Sequence, residues 1–211
     1  MNIIPHFERK WIVQESVAIP PKLHDQFPLP DVILQTLVRR GITTPAKAIR
    51  FLDHTKYDPT NAYELPDMEK GINRIHKAIQ SNEKIGVWGD FDVDGQTSTA
   101  ILVSALRQIG ANHNYHIPIR GPETHGISLP ALRNFLAEGV KVILTCDTGS
   151  SANESIDYAQ SNGIDVVVTD HHQLPQVLPK AFALINPQRL PGGHALSTLP
   201  GAGTAYKFSE A

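Results

Sequence analysis

The chain of 211 residues has a single cysteine, Cys146, so no internal disulfide can form. That scarcity agrees with a reducing compartment, and Cys146, at the end of the apolar run Val142-Ile143-Leu144-Thr145, reads as a small buried core residue. Long hydrophobic runs are missing too, which excludes a membrane-spanning helix. The N-terminus MNIIPHFERKWIVQES lacks the basic region, apolar stretch and small-residue cleavage site of a secretory signal. A cytoplasmic protein without a membrane partner is therefore expected. An excess of charge of one sign is absent as well: the net charge is −2. The field of the whole chain does not attract polyanions, so any such ligand must be held by local groups or by metal. Apolar residues, at 41%, are plentiful enough for a core.

Neither internal repeats nor low-complexity tracts occur, but the texture changes along the chain. The segment IPPKLHDQFPLP is rich in proline and reads as an extended connector. Asp31 can cap a helix that runs to about Arg40 and stops at Gly41, and Thr44-Pro45 can open a short helix towards Leu52. Met68, Ile72, Ile75 and Ile79 fall on one stripe of a third helix, Asp67 to Gln80. Residues 1–80 thus read as a helical N-terminal extension. From residue 81 to 211 the rhythm is strand, loop, helix, repeated: KIGVWG, STAILVSALRQIG, NYHIPI, LPALRNFLAE, VKVILTC, NESIDYAQSN, DVVVT and KAFALIN. Continuous Val/Ile/Leu strands alternating with helices predict an α/β fold, a parallel sheet covered by helices on both faces.

Three of these strands end in the same residue type: VWGD at Asp90, ILTCD at Asp147 and VVVTD at Asp170, the last followed by His171 and His172. In an open α/β sheet ligands bind outside the carboxyl ends of the strands, and parallel strands deliver all those ends to one edge. The stretch GDFDVDGQTS adds Asp92 and Asp94 to the set. Carboxylates packed so closely repel, and a fold tolerates them when a cation lies between them or when solvent screens them, as in an ordinary acidic Asp-Gly turn. Carboxylate mixed with imidazole, without thiolate at metal spacing, suits Mn2+, Mg2+ or Fe2+ better than structural zinc. The donors exceed what one ion needs, so a pair of ions bridged by Asp147 is the economical arrangement, of the kind that serves attack at phosphorus.

The acidic stretch has two other readings. A calcium-binding EF-hand loop counted from Asp90 requires Glu at its twelfth position, where Ile101 stands, and a helix before it, where a strand stands. A haloacid-dehalogenase type of phosphatase places Asp-x-Asp after its first strand but does not account for His171-His172; it remains the weaker alternative. Arg120, at a strand end, can steer phosphate through bidentate bonds, and His125 in THGIS can contact phosphate, although both residues have ordinary structural readings. The stretch GAGTAY resembles a dinucleotide loop only superficially, because Tyr206 stands where a third small residue belongs; it reads as a helix start.

GDFDVDGQTS, TCDTGSS and VVVTDHHQLP, in this order and spacing, resemble the DHH phosphoesterase superfamily, and within it the RecJ-type single-strand-specific 5′→3′ exonucleases. RRGITTPAKAIRFLD, RGPETHGIS, ALINPQR and LPGAGTAYKF resemble segments of the same group. The resemblance implies a DHH-type α/β domain that hydrolyses phosphodiester bonds of single-stranded DNA with two Mn2+ or Mg2+ ions. It implies Asp90, Asp92, Asp94, Asp147 and His171 as metal ligands, His172 either beside the substrate phosphate or behind the metal ligands, and Asp170 orienting the histidines. It also brings single-strand-binding protein or a helicase as possible partners by analogy. Asp147-Thr148-Gly149 departs from the group's usual Asp-Asn-Gly, and the group's further metal-binding aspartate and second domain have no counterpart before Ala211. The catalytic domain is therefore expected to be incomplete. A non-catalytic DHH-type module, or a phosphodiesterase of short oligonucleotides or cyclic dinucleotides, is the alternative.

Overall fold

A computed structural model describes residues 12–56, 59–123 and 125–211. Residues 1–11, read above for a secretory signal, and Thr124 of RGPETHGIS lie outside the described residues. The chain divides into two compact units between Pro59 and Thr60.

Among its described residues the first unit contains three short α-helices, α1 (Pro21–Gln26), α2 (Asp31–Arg39) and α3 (Pro45–Leu52). The proline-rich connector is thus partly helical, because Pro21 occupies the first helical position, where its missing N–H costs nothing. Asp31 is the first residue of α2 and not its cap; Pro30 precedes it without a capping side chain. Thr44 does cap α3, its hydroxyl accepting the Lys47 amide at 3.4 Å. Among the described residues of this unit, Leu23, Leu34, Leu37 and Ala48 are the buried apolar ones.

The second unit is an α/β layer built from α4 (Met68–Gln80), β1 (Ile85–Trp88), α5 (Val93–Gln108), β2 (His113–His116), α6 (Leu129–Ala137), β3 (Val142–Cys146), α7 (Asn153–Ser161), β4 (Asp165–Thr169), β5 (Ala183–Ile185) and α8 (Gly201–Glu210). The helix α4 was expected in the extension, with a boundary at residues 80 and 81; it instead belongs with the sheet. Its stripe Met68, Ile72, Ile75 and Ala78 is buried in the same core as Ile85, Val87 and Leu144, and that shared burial ties it to this unit.

The five strands are all parallel, in the order β2-β1-β3-β4-β5. Alternation along each strand feeds two cores. Ile85, Val87, Val142, Leu144 and Val167 meet α4, α5 and α8 on one face. Trp88, Ile143, Val166 and Val168 meet Leu132 and Phe135 of α6 and Ile156 and Ala159 of α7 on the other. Fully burying such side chains stabilises by about 1.5–3 kcal/mol each, before the opposing chain entropy. The edge strand β2 ends at His116, shorter than NYHIPI suggested, because Pro118 has no N–H to continue the ladder.

This order locates the ligand crevice. From β1 the chain steps outward to β2 and then returns to place β3 on the other side of β1. The direction of winding reverses between β1 and β3, and the loops leaving these neighbours diverge there. Asp90 follows β1 and Asp147 follows β3, so both stand at that reversal.

Candidate metal centre

The loop after β1 is shorter than the acidic stretch suggested. Helix α5 begins at Val93, five residues before Ser98, because the Asp92 carboxylate caps it by accepting the Gly95 amide at 2.9 Å. Asp94 therefore rides on the first helical turn. Gly95 has to lack a side chain: a Cβ there would stand 2.7 Å from the carbonyl carbon of Asp90. Asp90, buried, accepts its neighbour Phe91's amide at 2.8 Å through Oδ1 and meets Nδ1 of His125 at 2.8 Å through Oδ2. The bond from the Gly95 amide holds the Asp92 carboxyl below the ordinary carboxylate range, against a smaller upward push from burial.

Asp147 is the most constrained group. Its backbone is left-handed, φ 58°, uncommon outside glycine and asparagine, and its side chain is 1% exposed. Oδ1 is buried and has no hydrogen-bond partner, although Nε2 of His171 lies 3.1 Å away; the contact is close but not aligned as a hydrogen bond. Burial, and then the charges of Asp94 and Asp92, push this carboxyl up to about 8. A buried acceptor without a donor is costly, and a cation would satisfy it.

The histidine loop after β4 is organised by Asp170. Its Oδ1 accepts the amides of His171 and His172, at 2.7 and 3.2 Å, and Nδ1 of the His172 ring, at 2.8 Å. Its Oδ2 accepts the Ser150 amide at 2.9 Å. Burial pushes the Asp170 carboxyl up, but the bonds from His172 and Ser150 outweigh it and hold the group below its usual range. In return, the bond to Asp170 pushes His172 up to about 9. Both oxygens of Asp170 are thus committed, Oδ1 to the histidine loop and Oδ2 to the loop after β3, and the His171 and His172 rings offer donor atoms beside Asp147. Asn186, from ALINPQR, locks the arrangement by donating to Ser150 Oγ at 2.8 Å and to the His172 carbonyl at 3.0 Å.

Two overlapping donor groups result. Asp90, Asp92 and Asp147 offer oxygens that lie within 4.8 Å of one another, and Asp147, His171 and His172 do the same with oxygen and nitrogen. Asp147 is common to both. Asp94 is in neither group among the described residues, but its Oδ2 lies 3.5 Å from Nε2 of His171. The donor chemistry, hard oxygen with imidazole around an unpartnered buried oxygen, fits a divalent cation of the Mn2+ or Mg2+ kind. Thiolate is not available, since burial pushes Cys146 up to about 12.

Arg120 and His125 stand at the rim, joined by a residue that sequence reasoning passed over. The Phe91 ring lies 4.0 Å from the His125 ring, and the Arg120 guanidinium sits 4.5 Å from the Phe91 centroid. Also passed over were Ser150, Asn186 and the amides of Gly201 and Ala202, which donate to the two oxygens of Asp94 at 2.8 and 2.7 Å. ALINPQR and LPGAGTAYKF were visible as motifs, yet backbone donors reaching across 107 residues leave no local signal.

Comparison with known proteins identifies the family of this part of the chain. The family model described as the DHH family, N-terminal domain, matches residues 84–210. The single-stranded-DNA-specific exonuclease RecJ of Bacillus subtilis (strain 168) is 35% identical over 207 residues, 96% of this chain and 26% of the relative. The protein of that name from Haemophilus influenzae is 38% identical over 156 residues, 74% of this chain and 27% of the relative. This chain therefore spans about a quarter of the length of these relatives. A crystal structure of exonuclease RecJ bound to manganese superposes with a TM-score of 0.66 at 30% identity, over 72% of this chain and 38% of that one.

Proposed function

The chain belongs to the DHH family, and from that premise we propose that it is the metal-binding part of a phosphodiesterase that degrades single-stranded DNA 5′→3′ around two divalent ions, Mn2+ or Mg2+. The observation that carries the reading is the sharing of Asp147 by two donor groups, one of oxygens alone and one of oxygen and imidazole. The relatives named for single-stranded DNA, and the related structure with manganese, agree with it.

In this reading Asp90, Asp92 and Asp147 would hold one ion, and Asp147 and His171, with Asp94 beside them, would hold the other. When bound, the pair supplies an activated water and neutralises charge on the phosphate. Asp170 keeps the histidines in register by taking Nδ1 of His172, which leaves Nε2 to donate to a phosphate oxygen. Arg120 and His125, stacked through Phe91, receive the neighbouring phosphate at the rim. Hydrolysis would join the water oxygen to phosphorus, which stays on the shortened DNA as a 5′-phosphate, break the bond from phosphorus to the 3′ oxygen of the terminal nucleotide, and return a proton to that oxygen as it departs with the nucleotide.

A calorimetric titration with Mn2+ beside a digestion of single- and double-stranded oligonucleotides tests this. Two ions per chain and Mn2+-dependent release of nucleotides from the 5′ end of the single strand are expected. One ion or none, with no release, leaves a DHH-type module that binds without cleaving and overturns the reading.

A further inference from the structure

Resting on the metal reading above, we infer that the first turn of α8 is the positioning element of the metal centre, with Gly201 and the Ala202 amide as its working parts. Asp94 is the one acidic residue of the set whose two oxygens are both held from outside its own loop. Gly201 N–H donates to Oδ2 at 2.8 Å and Ala202 N–H to Oδ1 at 2.7 Å. The first amides of a helix have no intrahelical acceptor, so these bonds cost α8 nothing and match the carboxylate's charge. A carboxylate oxygen accepts more than one partner, which leaves lone pairs for an ion on the open side.

The same turn touches the bridging carboxylate. A Cβ on Gly201 would overlap the Asp147 side chain, reaching within 2.7 Å of its Cγ. Gly201 therefore supports Asp94 through its N–H and sets the position of Asp147 through its missing side chain. Helix α8 is itself well anchored. Ala205 and Phe208 are in the core, and the buried Lys207 ammonium donates to the Thr60 carbonyl at 2.8 Å and pairs with Glu210 at 2.7 Å. The helix is thus a fixed backstop, and the strand edge, α5 and α8 converge on one pair of carboxylates. The glycine-rich segment, a helix start as its residues suggested, donates its amides to one of the protein's own carboxylates.

The test compares Gly201→Ala, which pushes on Asp147, and Ala202→Pro, which deletes the amide to Asp94 at a position where no intrahelical bond is lost. Ala202→Gly keeps that amide, and Tyr206→Ala alters the exposed side of α8. Mn2+ affinity is read by calorimetry and by the electron paramagnetic resonance signal of bound Mn2+, and folding by circular dichroism and Tm in chelator. Losing an outer partner of a metal ligand weakens affinity about 10- to 100-fold. That loss is expected for Gly201→Ala and Ala202→Pro, with Ala202→Gly and Tyr206→Ala binding like the unsubstituted chain. If Gly201→Ala does not fold, Ala202→Pro decides. Equal Mn2+ affinity in a folded Ala202→Pro or Gly201→Ala chain overturns the inference alone. Failure of the unsubstituted chain to bind Mn2+ overturns the metal reading and the inference with it.

Discussion

The two halves of the acidic pocket are held in different ways. On the carboxylate side, Asp90 and Asp92 are fixed mostly by neighbours in sequence, the amides of Phe91 and Gly95 one and three residues on. On the imidazole side, Asp170 takes the Ser150 amide 20 residues back, and Asn186 reaches Ser150 from 36 residues away. The first side is a helix start, preorganised as soon as α5 forms. The second exists only when β3, β4 and β5 are paired. Asp147 belongs to both and is satisfied by neither, since its buried Oδ1 lacks a hydrogen-bond partner. Local capping can place a carboxylate, but bringing two such groups to a common ligand takes the sheet.

The sharpest way to break this comparison is to remove what the halves share. Asp147→Asn keeps the volume and suits the left-handed backbone at φ 58°, yet it withdraws the charge from both donor groups. Mn2+ binding is expected to fall by 100-fold or more at both groups, roughly 3 kcal/mol each. Mn2+-dependent hydrolysis should disappear. The metal-free Tm at pH 8 should be unchanged or higher, because a buried carboxylate pushed up to about 8 opposes folding where it ionises. Retention of two bound ions would show that Asp147 is not the bridge.

A smaller effect separates the halves. Asp170→Asn leaves Asp90 and Asp92 untouched but weakens the acceptor that holds both histidine amides and the His172 ring. Affinity at the imidazole side should drop about 10- to 100-fold, with the carboxylate side unchanged. Calorimetry then shows two unequal steps. An equal loss at both sides would mean that the halves are mechanically one.

What could be read from the residues divides along the same line. The alternation of strands and helices, the Asp residues at the ends of β1, β3 and β4, and the buried role of Cys146 follow from period and hydrophobicity, which are local properties. The start of α5 was displaced because a capping Asp and a following glycine look, without a structure, like any acidic turn. The placement of α4 was displaced because an amphipathic stripe states that a helix buries a face but not what covers it; Ile72 and Ile75 found the sheet. Within the site, Asp94 could be named from its spacing, but not its clamp by α8, and Asp170 could be named but not the direction of its oxygens. Such bonds depend on the strand order β2-β1-β3-β4-β5, which no short stretch of sequence encodes.

The smallest expected effect is one of pH, and it opposes metal binding to the stability of the metal-free fold. Asp147 must be ionised to bind a cation, and its carboxyl is pushed up to about 8 by burial and then by Asp94 and Asp92. A proton therefore competes with the ion. Apparent Mn2+ affinity should rise roughly fivefold between pH 7 and pH 8 and then level off, with close to one proton released per chain at pH 7. The metal-free fold responds the other way. Between the unfolded value near 4 and the folded value of about 8, the native chain keeps a proton that the unfolded chain has lost, so this group's contribution to stability falls as pH rises across that window. Titrations in buffers of different ionisation heat measure the proton, and melts in chelator measure the stability. Asp147→Asn should abolish both slopes, whereas Asp170→Asn, acting on the other half, should leave the proton release attributable to Asp147 in place.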